Sequence, residues 1–91
     1  MVEETINGHL ATPLTRAVRV VVQEYEKAAS NYGKFHSYHE GYSVILEELD
    51  ELWAEIKKKG DVRDKRKIRS EAKQVAAMAI RFMIDLCDDQ W

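Results

Sequence analysis

The chain has 91 residues, 45% hydrophobic and 33% charged, which suits one globular domain and excludes a disordered or fibrous chain. Fourteen Lys and Arg against sixteen Asp and Glu leave a formal charge of -2, which excludes a generally basic nucleic-acid binder. Four Gly and one Pro leave few turns for a many-stranded β fold, and the lone Cys87 cannot form an internal disulfide.

No apolar run approaches the ~20 residues of a membrane span, and Met1-Val2-Glu3-Glu4 is unlike a secretory signal. The expectation is a cytoplasmic domain with neither a membrane nor a nucleic acid as partner. Residues 1–11 are aperiodic and read as a loose arm ahead of a single domain over 12–91. Thr12-Pro13 reads as an N-cap followed by proline at the first helical position, where its missing N–H costs nothing. Leu14, Ala17, Val18, Val21, Tyr25, Ala28 and Tyr32 then recur at helical spacing, and Gly33 supplies a stop. Val20 and Val22 fall off that stripe, so this helix is apolar on more than one side.

Ser37 and Glu40, three apart, have the spacing of a capping box that opens a second helix. Tyr42, Ile45, Leu46, Leu49, Leu52, Trp53 and Ile56 supply its apolar positions, with Trp53 expected in the core. Lys57-Lys58-Lys59 suit its C-terminal dipole, and Gly60 ends it. Asp61 or Asp64 is the expected N-cap of a third helix, whose apolar face is Ile68, Ala72, Val75, Ala76, Ala79, Met83 and Leu86. The expected fold is all-α, a bundle of about three helices per chain. A chain this short buries only about 60–65% of its unfolded surface, so completion of the bundle by oligomerisation is expected.

Two acidic stripes carry the chemistry. With Leu49 as the centre of the second helix's buried face, Glu48, Glu55 and Glu51 fall about 100–160° to one side. With Ala79 as the centre of the third, Glu71, Asp85 and Gln74 fall about 80–140° to one side. Facing helices that offer oxygens one turn apart suit a hard divalent cation such as magnesium. The alternative is a solvated face. Glu47-Glu48-Leu49-Asp50-Glu51 crowds four carboxylates into five positions, which repel one another unless something positive binds. Eight cations between Lys57 and Arg69 follow, and an acidic site beside a basic loop suits a polyphosphate ester. His36 and His39 lack the partners of a zinc site, and Cys87 reads as a packed thiol.

The run Glu47-Glu48-Leu49-Asp50-Glu51-Leu52, followed by Glu71-Ala72-Lys73-Gln74-Val75-Ala76, resembles the MazG-like all-α nucleoside triphosphate pyrophosphohydrolases, in a small phage or prophage type of subgroup. That family carries ExxE on one helix and ExxD on the next, and the likeness spans roughly His39 to Leu86. The resemblance implies hydrolysis of a nucleoside or deoxynucleoside triphosphate to the monophosphate and pyrophosphate. It implies Mg2+, with Mn2+ as a substitute, on Glu48, Glu51, Glu71 and Gln74. It further suggests Glu47 as the acid that orients water, Lys57, Arg63 and Lys67 as phosphate ligands, and Tyr38 and Tyr42 as the base pocket. The expected assembly is a homodimer or homotetramer. Gln74 stands where the family has aspartate. A neutral carbonyl adds no charge, so the competing expectation is a non-catalytic helical module that keeps the fold.

Overall fold

The structure, a computed structural model, describes residues 12–88. The expected arm at residues 1–11 lies outside the described residues. Three helices follow in order: α1 (Pro13–Tyr32), α2 (Tyr38–Ile56) and α3 (Lys65–Phe82), the last running into a π-helical turn over Met83–Cys87. The fold is all-α. No described helix is long and apolar enough to cross a membrane.

Local chemistry sets the helix starts. The Thr12 hydroxyl accepts from the Thr15 N–H at 3.1 Å, and the Thr15 hydroxyl takes the Thr12 N–H at 2.8 Å, which closes a reciprocal cap ahead of Pro13. The Ser37 hydroxyl accepts from the Glu40 N–H at 3.0 Å. The return half of that expected box differs, because the Glu40 carboxylate takes the N–H of His36 rather than that of Ser37. Asp64, not Asp61, caps α3 by accepting from the Arg66 N–H at 2.8 Å. Between α1 and α2 the chain turns at Gly33, with φ 71° and ψ -162°, a region essentially reserved for glycine.

Helix α3 is central: it packs against both other helices, while α1 and α2 make little direct contact with each other. At Gly41 the backbone of α2 comes close to α3 and the turn after it: an added Cβ would lie 2.5 Å from Phe82 Cδ2 and 3.1 Å from Leu86 Cδ1. The buried hydrophobic core among the described residues is small: Ala28, Phe35, Ala77 and Met78. Val21, Tyr25, Val44, Ile45, Phe82 and Leu86 pack around it.

Two helices are rotated from the phase expected of them. Of the face expected on α2, Ile45 and Leu52 are half-buried as expected, but Tyr42, Leu46, Leu49, Trp53 and Ile56 are exposed, and Gly41, Val44 and Glu48 turn inward in their place. On α3 Ala72 and Ala79 are exposed, as is Met83 at the start of the π-helical turn, while Ala77, Met78 and the charged Arg81 are buried. Each rotation is about 100°, one residue's worth of helix. Cys87 is exposed rather than packed.

Candidate metal centre

Because α1 and α2 stand apart over α3, a groove runs between them with α3 as its floor. Glu71, Gln74, Met78 and Arg81 line it from α3, Glu40, Val44, Glu48 and Glu51 from α2, and Glu24, Lys27, Ala28 and Tyr32 from α1. Lys34, Phe35 and His36 close one end, and the cavity volume is about 540 Å³, within the usual range for small-molecule sites.

Glu48, Glu51 and Glu71 each bring a carboxylate oxygen to within 4.8 Å of the others. No other set of three His, Cys, Asp or Glu side chains converges in this way among the described residues. Their helical addresses explain the convergence. Glu48 and Glu51 are one turn apart on α2, and the antiparallel α3 presents Glu71 at the same level, with Gln74 one turn further along. The rotation of α2 brings Glu48 onto the contact face instead of beside it.

The arrangement is electrostatically loaded. Burial pushes the Glu48 carboxyl up to about 7, aided by the charge of Glu51, a hydrogen bond with it, and the charges of Glu71 and Glu47. Burial also raises Glu71, with the charges of Glu51 and Glu55 adding to it. Nearby cations are engaged elsewhere: Lys73 meets Glu24 at 3.6 Å and Lys58 meets Glu55 at 2.9 Å. The three carboxylates are hard oxygen donors of the kind that could hold a divalent cation, and the amide of Gln74 lines the same cavity.

The opposite end of the groove is different in kind. Arg81 is only 5% exposed; its guanidinium lies 4.1 Å from the centre of the Phe35 ring and donates to the Gly33 carbonyl at 2.8 Å. Its Nε is buried without a partner. Asp85 ties the same loop down by accepting from the Phe35 N–H at 3.0 Å. Asp85, placed on the acidic stripe from sequence, is therefore a loop anchor.

The remaining expected site residues lie outside this cavity. Glu47 is exposed on α2 and does not line it. Lys57 and Lys67 are exposed on the surface, and Arg63 donates to the Lys58 carbonyl at 3.1 Å. These three belong to the end of α2, the connection and the start of α3, whereas the cavity's cations are Lys27, Lys34 and Arg81. Tyr38 and Tyr42 are exposed; Tyr38 stacks on Phe82 with ring centres 6.0 Å apart. The aromatic residues at the cavity are instead Tyr32 and Phe35. Arg81 carried one signal in the sequence, as the single cation in the apolar run Val75–Leu86.

Compared with family models, curated proteins and solved structures, the chain has no match.

Proposed function

We propose that the chain is a Mg2+-dependent nucleoside triphosphate pyrophosphohydrolase that works in the groove between α1 and α2. The observation that carries this reading is the convergence of Glu48, Glu51 and Glu71 oxygens within 4.8 Å in a cavity that also holds cations and an aromatic end. A fold does not gather three mutually repelling carboxylates on a helix contact without cost. The resemblance of Glu47–Leu52 and Glu71–Ala76 to the MazG-like motifs supports the same reading.

Glu48, Glu51 and Glu71, with the Gln74 carbonyl, would hold the ion, which when bound neutralises phosphate charge and lowers the pKa of water. Glu24, held by Lys73 on the α1 wall, is the cavity carboxylate suited to orienting a water molecule, the role first expected of Glu47. Lys27 and Lys34 supply the positive charge for phosphate oxygens that was expected of Lys57, Arg63 and Lys67. Tyr32 and Phe35 form the flat apolar end for a base, in place of Tyr38 and Tyr42.

The second reading is a non-catalytic helical module, and Gln74 favours it. This residue lends the cavity a neutral oxygen where the family has a carboxylate. Incubation with a panel of deoxynucleoside triphosphates and Mg2+, with pyrophosphate as the readout, separates the two. Pyrophosphate release that Glu48→Gln abolishes is the result expected of the enzyme. Absence of release, with no effect of Mg2+ or Mn2+ on the melting temperature, refutes it.

A further inference from the structure

The end of the groove away from the carboxylate trio holds a cation whose bonding is incomplete. Arg81 lines the cavity and is 5% exposed. A guanidinium carries five N–H donors. Those of Arg81 make two hydrogen bonds among the described residues: Nη2 donates to the Gly33 carbonyl at 2.8 Å, and Nη1 to the weak acceptor Met78 Sδ at 3.4 Å. One N–H on each Nη is left over, and Nε is buried without a partner. Unmet donors on a buried charge are costly, and a pair of acceptors entering from the groove would relieve that cost. Phe35 lies against the guanidinium, 4.1 Å away, and holds its plane.

A carboxylate stands at about the same level. Gly41 lies against Phe82, so Glu40 and Arg81, one residue before each, are neighbours across the α2–α3 contact, and both line the cavity. Glu40 Oε1 accepts the His36 N–H and faces His36 Nδ1 at 3.4 Å, while Oε2 has no partner among the described residues. The His36 N–H above all, then the His36 ring and the Arg81 charge, hold the Glu40 carboxyl below its ordinary range, which keeps it ionised at neutral pH.

This end therefore presents donors and acceptors side by side, next to the exposed ring of Tyr32. Along the helices it lies roughly 12–15 Å from Glu48 and Glu71, at about 1.5 Å per residue. An extended nucleotide with its phosphates at the trio places its base there. The four bases answer the pair differently. Guanine carries two acceptors, O6 and N7, on one edge and two donors, N1–H and N2–H, on the next; an arginine fork meets the first pair and a carboxylate the second. Adenine sets an amino group beside N7, donor against donor at Arg81. Thymine flanks its one N–H with carbonyls that a carboxylate repels. Cytosine is the nearest rival, but it gives Glu40 one amino group where guanine gives two N–H.

We infer that this end of the groove is a guanine subsite, in which Arg81 donates to O6 and N7, Glu40 accepts from N1–H and N2–H, and Tyr32 covers the ring face. The inference rests on the nucleotide reading of the groove and adds the base to it.

Titration calorimetry of the full chain with Mg2+ tests this without requiring turnover. The probes are the four deoxynucleoside triphosphates with an uncleavable imido bridge between the α and β phosphates. The guanine compound should bind at least about ten-fold more tightly than the other three. The hypoxanthine analogue, which lacks the N2 amino group, and the 7-deazaguanine analogue, which lacks N7, should each lose about ten-fold. Glu40→Gln keeps an oxygen for the His36 N–H and turns an amide NH2 toward the donors of guanine. Helicity should then persist while the guanine preference falls to about two-fold or less. Equal affinity for the four bases, or tightest binding of cytosine, overturns the subsite and leaves the hydrolase standing if pyrophosphate is released from the natural substrates. A guanine preference that survives Glu40→Gln and the loss of N2 and N7 overturns it too. Guanine preference with the expected losses but no pyrophosphate release upholds the subsite and refutes the hydrolase. Binding of none of the four overturns the subsite, and pyrophosphate release then decides the hydrolase separately.

Discussion

Glu48→Gln offers the most direct test of how the cavity is charged, because it keeps the side chain's shape and removes its titration. In the folded chain the Glu48 carboxyl is pushed from an ordinary 4.5 to about 7. A carboxyl raised on folding binds its proton more tightly in the native state than in the unfolded one. Its favourable contribution is therefore complete below about pH 4.5, declines as pH rises, and is lost above about 7. Taken in full, that difference is about 3 kcal/mol at ~1.36 kcal/mol per pH unit. Glu48 is open enough to solvent that screening brings it to about 1–2 kcal/mol. Wild-type protein without metal should thus melt roughly 5–10 °C lower at pH 8 than at pH 5 on account of this group. Glu48→Gln should flatten that slope and melt above the wild type at pH 8, with little difference at pH 5. Added Mn2+ should raise the wild type, by about 2.7 kcal/mol at a hundred times its dissociation constant, and leave the variant unmoved. The assay is a melting series in circular dichroism across pH, with and without Mn2+. If Glu48→Gln lowers the melting temperature at pH 8, the carboxylate is stabilised where it stands and the electrostatic account is wrong.

Three further substitutions probe the groove and its floor. Gln74→Asp adds a fourth charge to the cluster, so the metal-free chain should melt lower at pH 8 while the Mn2+-induced rise grows; calorimetric titration that finds unchanged Mn2+ affinity removes Gln74 from the donor set. Arg81→Lys gives up the bond to the Gly33 carbonyl and the guanidinium stacked on Phe35, and should cost about 2 kcal/mol in urea unfolding. Gly41→Ala would gain about 1 kcal/mol in an open helix, but here the new Cβ meets Phe82 at 2.5 Å, so a net loss of about 1–2 kcal/mol is expected. A stabilising effect of Gly41→Ala would mean that α2 and α3 are further apart than described.

The number of helices and their starts were legible because capping is local chemistry. Thr12, Ser37 and Asp64 each satisfy a backbone N–H two or three residues ahead, and a short stretch of sequence contains everything that interaction requires. Helix phase is a different matter. Helix α2 has apolar side chains around more than half its circumference, with Tyr42, Leu46, Leu49, Trp53 and Ile56 on one stripe and Val44, Ile45 and Leu52 on another. Size favours a face centred on the first stripe, with Ile45 and Leu52 at its edge, and the chain instead half-buries those two together with Val44. Periodicity cannot separate an internal face from one that another chain could cover, since burial rewards both equally. The same uncertainty left the residues expected to meet phosphate and base, Lys57, Arg63, Lys67, Tyr38 and Tyr42, outside the cavity. Lys27, Lys34 and Phe35 enter the cavity only because α1 and α2 stand apart over α3, a tertiary arrangement with no signature at any one position. The carboxylate trio was legible in spite of the wrong phase, because i, i+3 pairs stay on one helix side however the helix is turned.

Placement of the acids and exposure of the α2 stripe are two results of a single rotation, and they bear on stability together. Turning Glu48 inward desolvates a carboxyl, and turning Leu49 and Trp53 outward removes their apolar area from the chain's own core. Among the described residues 12–88, the buried hydrophobic set of Ala28, Phe35, Ala77 and Met78 is small. Opposing requirements of this kind are met when something binds the native state alone, and the proposed cation site and the uncovered α2 stripe lie on different sides of α2. A cation at Glu48, Glu51 and Glu71 would offset the first cost, and a second copy over Leu49 and Trp53 the second. The melting temperature should then rise with Mn2+ at fixed protein concentration and with protein concentration at fixed Mn2+. Because the two faces share no residue, the increments should be nearly additive. A Leu49→Glu chain should keep the Mn2+ response and lose the concentration dependence; a variant that loses both would mean that the seam, rather than α3, holds the carboxylates together.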